Sequence, residues 1–271
     1  MAKKNQQSSN SKAAAARAQA QAQVRAQERK TGVIIAAVVG VVVLVLAGLV
    51  MFIVNSGKVP GLDESGAVLP AGSDETGGIA VGTAGVVGED VPDDVTRVDV
   101  YLDFMCPICH QFEQTNGEDL SELRESGEIA LYYHPISILD RYSLGTQYST
   151  RSANAAATVA DRAPESFLDF VEALYLNQPA ENTEGLTDEQ IEQIAIDAGV
   201  PEGVAAQFED GDFNKWVIAA SDRSSQDGLS GTPSIHIAEA GQTFDEGAMV
   251  PQTEVPFMQA GVLRAHLESL S

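Results

Sequence analysis

Phe104-Met105-Cys106-Pro107-Ile108-Cys109-His110 holds both cysteines of this 271-residue chain. Upstream, Val98, Val100, Leu102 and Phe104 alternate with Asp99, Tyr101 and Asp103, the period-two pattern of a half-buried strand that runs straight into Cys106. Cys-Pro then reads as a helix N-cap followed by proline at the first helical position, where a missing N–H costs nothing. A cysteine at that place meets unpaired N–H groups and the positive end of the helix dipole, which favour the thiolate, and the second cysteine faces it one turn later. The expected chemistry is dithiol–disulfide exchange, with Cys106 as nucleophile and Cys109 as resolving thiol. As a structural staple the pair would close a very small loop and stabilise little. A zinc site would have to be completed by the scattered His110, His134, His236 and His266. Cys106-Pro107-Ile108-Cys109-His110 also has the C-x-x-C-H form of c-type haem attachment, although a strand feeding directly into the motif belongs to a different architecture. No organic or metal cofactor is implied.

Outward from the motif, the chain divides by composition. Gly32 to Val54 is an uncharged apolar run that as a helix would reach roughly 35 Å, enough to span a bilayer core. Residues 1–31 carry seven Lys or Arg and one Glu, whereas residues 55–271 carry nine basic and 38 acidic residues. That asymmetry predicts a single-pass anchor over 32–54, contacting the lipid bilayer, with a low-complexity basic tail in the cytoplasm and the remainder across the membrane. A cleaved secretory signal is the rival reading, but the basic region is long and no A-x-A site follows. Outside the cytoplasm cysteines can remain oxidised. The acidic balance of the exported part argues against nucleic-acid binding.

Residues 55–94, with nine Gly, eight acidic residues and no aromatic, read as a flexible tether. Residues 95–271 are long enough for one domain with a substantial core. Ile129, Leu131 and Tyr133 mark a second strand. Helical signals fill about 140–226: Pro164 opens a segment with Phe167, Phe170, Val171 and Leu174 on one face, and Thr187 to Gln190 has the form of a capping box. Ser234–Ala238 and Gln242–Asp245 read as a hairpin turning at Ala240-Gly241, followed by a last helix bearing Val262, Leu263 and Leu267.

Across about residues 96–271 the chain resembles the thioredoxin superfamily, and within it the DsbA-like oxidoreductases, including the membrane-anchored forms of high-GC Gram-positive bacteria. Asp103-Phe104-Met105-Cys106-Pro107-Ile108-Cys109 is similar to that family's active-site turn, and Gly231-Thr232-Pro233-Ser234 to its cis-proline turn. The resemblance implies an α/β thioredoxin-like fold with an inserted helical domain, behind one N-terminal transmembrane helix. It also implies a redox-active pair at Cys106 and Cys109, a cis Pro233 against the cysteines, and a Thr232 backbone that pairs with an extended client. The implied activity is introduction of disulfides into unfolded exported proteins, with reoxidation by a membrane quinone-linked partner of the DsbB or vitamin K epoxide reductase type. A reductase or isomerase kept reduced by a membrane electron donor is an alternative, as is a binding module or holdase without turnover. Two positions depart from the family. Ile108 stands where DsbA has histidine, which leaves the redox poise open. Val100 stands where many relatives have a buried acid, while Asp103 reads as a turn or capping residue.

Overall fold

The computed structural model describes residues 39–40, 42–48, 62 and 66–270. Residues 1–58 and 59–271 form separate units. The basic tail, and much of the apolar run expected to span a membrane over 32–54, lie outside the described residues. Within that run, 39–40 and 42–48 are helical, with exposed Val and Leu side chains. Among the described residues no helix is long and apolar enough to cross a membrane.

The second unit begins earlier than its composition suggests. Within the stretch read as a tether, Ile79–Val81 forms strand β1 and pairs antiparallel with a later strand, Ile79 opposite Tyr133 and Val81 opposite Leu131. Ile79 and Val81 are fully buried and Val87 nearly so; each such side chain contributes about 1.5–3 kcal/mol by leaving water, which offsets the ordering of a Gly-rich segment. Gly82 lets the chain fold back at this point, because a Cβ there would collide with the Glu89 carbonyl. An acidic, Gly-rich segment with a few Val and Ile looks like a linker until a sheet edge is available to receive it.

Strand β2, Thr96–Leu102, leads to helix α1, Pro107–Glu125, and then to β3, Ile129–Pro135, parallel to β2. Phe112, Asn116, Leu120 and Leu123 form the buried stripe of α1. The helical insertion follows: α2 Tyr148–Arg162, α3 Phe167–Leu176, α4 Asp188–Asp197, α5 Glu202–Ala205 and α6 Asn214–Gln226. Helix α2, rich in alanine, is buried along nearly its whole length and serves as the axis of this block. The Thr187–Gln190 capping box opens α4 as expected. Strand β4, Ser234–Ala238, returns antiparallel to β2, the two-residue β5, Ala248–Met249, pairs with β4, and α7 spans Val262–Glu268. The sheet order is β1-β3-β2-β4-β5.

Two local expectations are corrected. Gln242–Asp245 is not the second strand of the hairpin. Thr243 and Glu246 cap each other around a short 3-10 turn at Phe244–Glu246, and the Phe244 ring stacks on His236 at 4.2 Å, so pairing waits until Ala248. Strand β2 is buried on both faces rather than one: Asp99 and Tyr101 are as inaccessible as Val98 and Val100. Arg97 Nε approaches the Asp99 carboxylate at 2.9 Å, His134 Nε2 at 2.8 Å and His236 Nδ1 at 3.4 Å. Burial acts to raise the Asp99 carboxyl, but His134, His236 and Arg97 outweigh it and hold it well below the usual carboxylate range.

Candidate active site

Helix α1 starts as its sequence requires. Cys106 is the N-cap in extended conformation and Pro107 the first helical residue; the Cys106 sulfur accepts the N–H of Cys109 at 3.3 Å. Both cysteines are free thiols, Cys106 5% exposed and Cys109 fully buried. They differ in acidity. The hydrogen bond from the Cys109 thiol is the foremost influence on Cys106. Burial opposes it, Thr232 and the N–H groups of Cys109 and Ile108 assist, and the Cys106 thiol is lowered from 9.0 to about 6. Burial, and then Cys106 itself, push Cys109 well above the ordinary thiol value. The couple therefore has one sulfur ready as a thiolate and one held as a thiol.

Thr232 and Pro233 lie directly ahead of β4, and their peptide bond is cis. The Cys106 thiol reaches the Thr232 carbonyl at 3.4 Å across 126 residues of sequence. Ile108, between the cysteines, is half exposed and leaves an apolar side chain beside the pair.

Asp103 is fully buried beneath the turn. Its carboxylate accepts the N–H of Met105 at 2.9 Å, the hydroxyl of Ser149 at 2.7 Å and the N–H of Leu139 at 2.9 Å, tying the active-site turn to the start of the helical insertion. Burial dominates nonetheless: it raises the carboxyl from 3.8 to about 7, the three donors pull the other way, and the nearby Cys106 adds to the rise. Val100 is buried in the core and brings no acid. Gln178 was not singled out by sequence reading. Its Nε2 donates to the carbonyls of Phe104 and Cys106, both at 2.9 Å, from the loop after α3; a glutamine 72 positions from its partner leaves no local signal. His110 is partly buried, its ring 6.1 Å from that of Tyr175.

A mixed sheet flanked by helices, with a Cys-Pro-Ile-Cys dithiol at a helix N-terminus beside a cis proline, defines a thioredoxin-type protein. A family model described as Thioredoxin matches residues 86–246. The chain belongs to this family and is a DsbA-like member of the thioredoxin superfamily, a class of thiol–disulfide oxidoreductases. Among solved structures it is similar to reduced DsbG from Mycobacterium tuberculosis, with 26% identity and a TM-score of 0.52 over 72% of this chain and 94% of that one. MdbA, a thiol-disulfide oxidoreductase from Actinomyces oris, shares the fold at 21% identity and a TM-score of 0.58, over 78% of this chain and 96% of that one. Over 108 residues the chain is also 30% identical to the serine/threonine-protein kinase PknE of M. tuberculosis; the match covers 38% of this chain and 19% of the kinase.

Proposed function

We propose that Cys106 and Cys109 cycle between dithiol and disulfide to introduce disulfides into unfolded exported proteins, and that the domain is held at the outer face of the membrane by the run 32–54. The unequal acidity of the two sulfurs, Cys106 at about 6 and Cys109 well above the ordinary value, carries the reading. A client thiolate attacks Cys106 of the oxidised pair; the client–Cys106 bond forms, the Cys106–Cys109 bond breaks, and Cys109 leaves and takes up a proton. A second client thiolate then attacks the client sulfur of the mixed disulfide and releases Cys106 as a thiolate. The client loses two electrons and the enzyme gains them. A low-pKa sulfur is a good leaving group, so the second step runs toward client oxidation.

The Thr232 backbone beside Cys106 suits recognition of an extended chain by added strand pairing, which is tolerant of sequence. A cavity of about 490 Å³ lined by Thr232, Pro233, Met249, Val250 and Phe257 lies next to it and provides apolar room for client side chains. Reoxidation calls for a membrane quinone-linked partner of the DsbB or vitamin K epoxide reductase type. Residues 1–54 support the tethering through their apolar run and basic flank. The deciding experiment is a Cys109→Ser variant expressed in cells with the in vivo redox state of the wild-type pair read in parallel. Client-linked species that disappear on reduction, with a wild-type pair mostly oxidised, are expected. A folded variant that captures no exported protein refutes exchange, and a mostly reduced pair would instead favour the reductase or isomerase reading.

A further inference from the structure

Helices α1 and α3 enclose a cavity of about 440 Å³ on the flank of the active-site helix. One α1 face contributes His110, Glu113, Gly117 and Arg124, and α3 contributes Asp169, Glu172 and Tyr175. Four polar atoms shielded from solvent and without a hydrogen-bond partner belong to residues lining it: Glu113 Oε1, the Tyr175 hydroxyl, His110 Nε2 and Arg124 Nε. Tyr175 is only 1% exposed, and a hydroxyl buried that deeply without a partner is destabilising until an acceptor or donor meets it. Gly117, in mid-helix where alanine would be more stable, leaves the Glu113 carboxylate its room, since a Cβ would lie 3.3 Å from Glu113 Oε2.

The lining is strongly acidic. Glu113, Glu118, Glu125, Asp169 and Glu172 stand against one arginine. Arg124 commits its terminal nitrogens to the carbonyls of Gly82 and Thr83 and to Glu125, and makes no ion pair with Glu113, Glu118, Asp169 or Glu172. Burial, with repulsion from Glu172 across the cavity, pushes the Glu113 carboxyl up to about 7. A positive group brought between these two acids would relieve both effects. A metal ion is poorly matched, because among the described residues no three His, Cys, Asp or Glu side chains converge to hold one. An extended organic cation is well matched: Leu168, Val171, Leu176 and Tyr133 supply apolar lining for a stem, and the acids and the Tyr175 hydroxyl supply acceptors for its head. The cavity also adjoins the dithiol, for His110 follows Cys109, and the Tyr175 ring lies 5.2 Å from Phe104.

We propose that this cavity is a subsite for an alkylammonium or guanidinium group on an apolar stem, and that during exchange it takes a lysine or arginine side chain of the client. The client part rests on the exchange reading above; the cation site does not. The test uses the oxidised full chain and peptide dithiols identical except for lysine, norleucine or glutamate at positions flanking the attacking cysteine. At the best position lysine is expected to react about tenfold faster than norleucine, the ratio that one charge-assisted hydrogen bond of about 1.4 kcal/mol supports, and glutamate more slowly than either. In Glu113→Gln/Glu172→Gln the lysine advantage should fall close to one while the norleucine rate stays unchanged, which also shows that the variant is folded. In parallel, n-butylammonium, propylguanidinium and spermidine are titrated against wild type and the double variant, with the Tyr175 and His110 signals followed by NMR. Binding of these amines, lost in the double variant, supports the cation site; the same binding with equal lysine and norleucine rates overturns the client assignment and points to a free amine. If none of the three peptides reacts, the exchange reading fails and the amine titration alone decides the subsite. Equal peptide rates with no amine binding overturn the proposal entirely.

Discussion

Asp103 offers a quantitative check on how burial and hydrogen bonding compete beneath the dithiol. Its carboxyl is raised from 3.8 to about 7, so the folded protein retains a proton that the unfolded chain has already released over that interval. Stability due to this group is therefore fullest below about pH 4, declines as pH rises to about 7, and is level above. At about 1.4 kcal/mol per pH unit the total is about 4 kcal/mol, of which about 3 kcal/mol falls between pH 5 and pH 8. Asp103→Asn cannot ionise. Its oxygen can still accept from Met105 and Ser149, but its amide then faces the Leu139 N–H, donor against donor, at a pH-independent cost of about 1–3 kcal/mol. The variant should be the weaker protein at pH 5, and the difference should move by about 3 kcal/mol in its favour by pH 8. Urea denaturation of both proteins at several pH values, with Cys106 intact, measures this directly. A difference that stays flat from pH 5 to pH 8 refutes the reasoning, because it would mean that the three donors keep the carboxylate ionised despite its burial.

The Cys106 thiolate should be half-formed near pH 6, read from thiolate absorbance or the alkylation rate, and Cys109→Ala should shift that midpoint upward because it removes the foremost stabilising hydrogen bond; an unchanged midpoint would contradict the assignment. Gln178→Ala should lower stability by about 2 kcal/mol, the worth of two hydrogen bonds to the Phe104 and Cys106 carbonyls, measured by urea denaturation, with no change expected if that loop merely lies alongside. Ile79→Ala should cost about 2–5 kcal/mol, as for a fully buried isoleucine; a thermal melt indistinguishable from wild type would return residues 66–94 to the status of a linker.

The short-range features were legible because each depends on neighbours within a turn or two. The Cys-Pro helix start, the Thr187–Gln190 capping box, the existence of β2 ahead of the motif and the apolar face of α3 are all written in adjacent residues. Resemblance to a family added the Thr232–Pro233 turn. The position of the dithiol and the expectation that Cys106 is the more acidic sulfur follow from one heptapeptide, since the dipole and free N–H groups of a helix start act on whatever side chain occupies the N-cap.

Tertiary structure alone decided the rest. Residues 79–81 become a strand because β3 presents an edge for them to pair with, and the buried Asp99 carboxylate, already held by its neighbour Arg97, gains hydrogen bonds only when β3 and β4 bring His134 and His236 against it. Gln178, Glu113 and Glu172 acquire their meaning only when the insertion is laid against α1, which brings Gln178 to the Cys106 carbonyl 72 residues away and sets Glu113 and Glu172 on the same cavity. Charge and apolar periodicity specify which side chains prefer to leave water; which of them then meet is set by the packing of distant segments, and no local pattern records it.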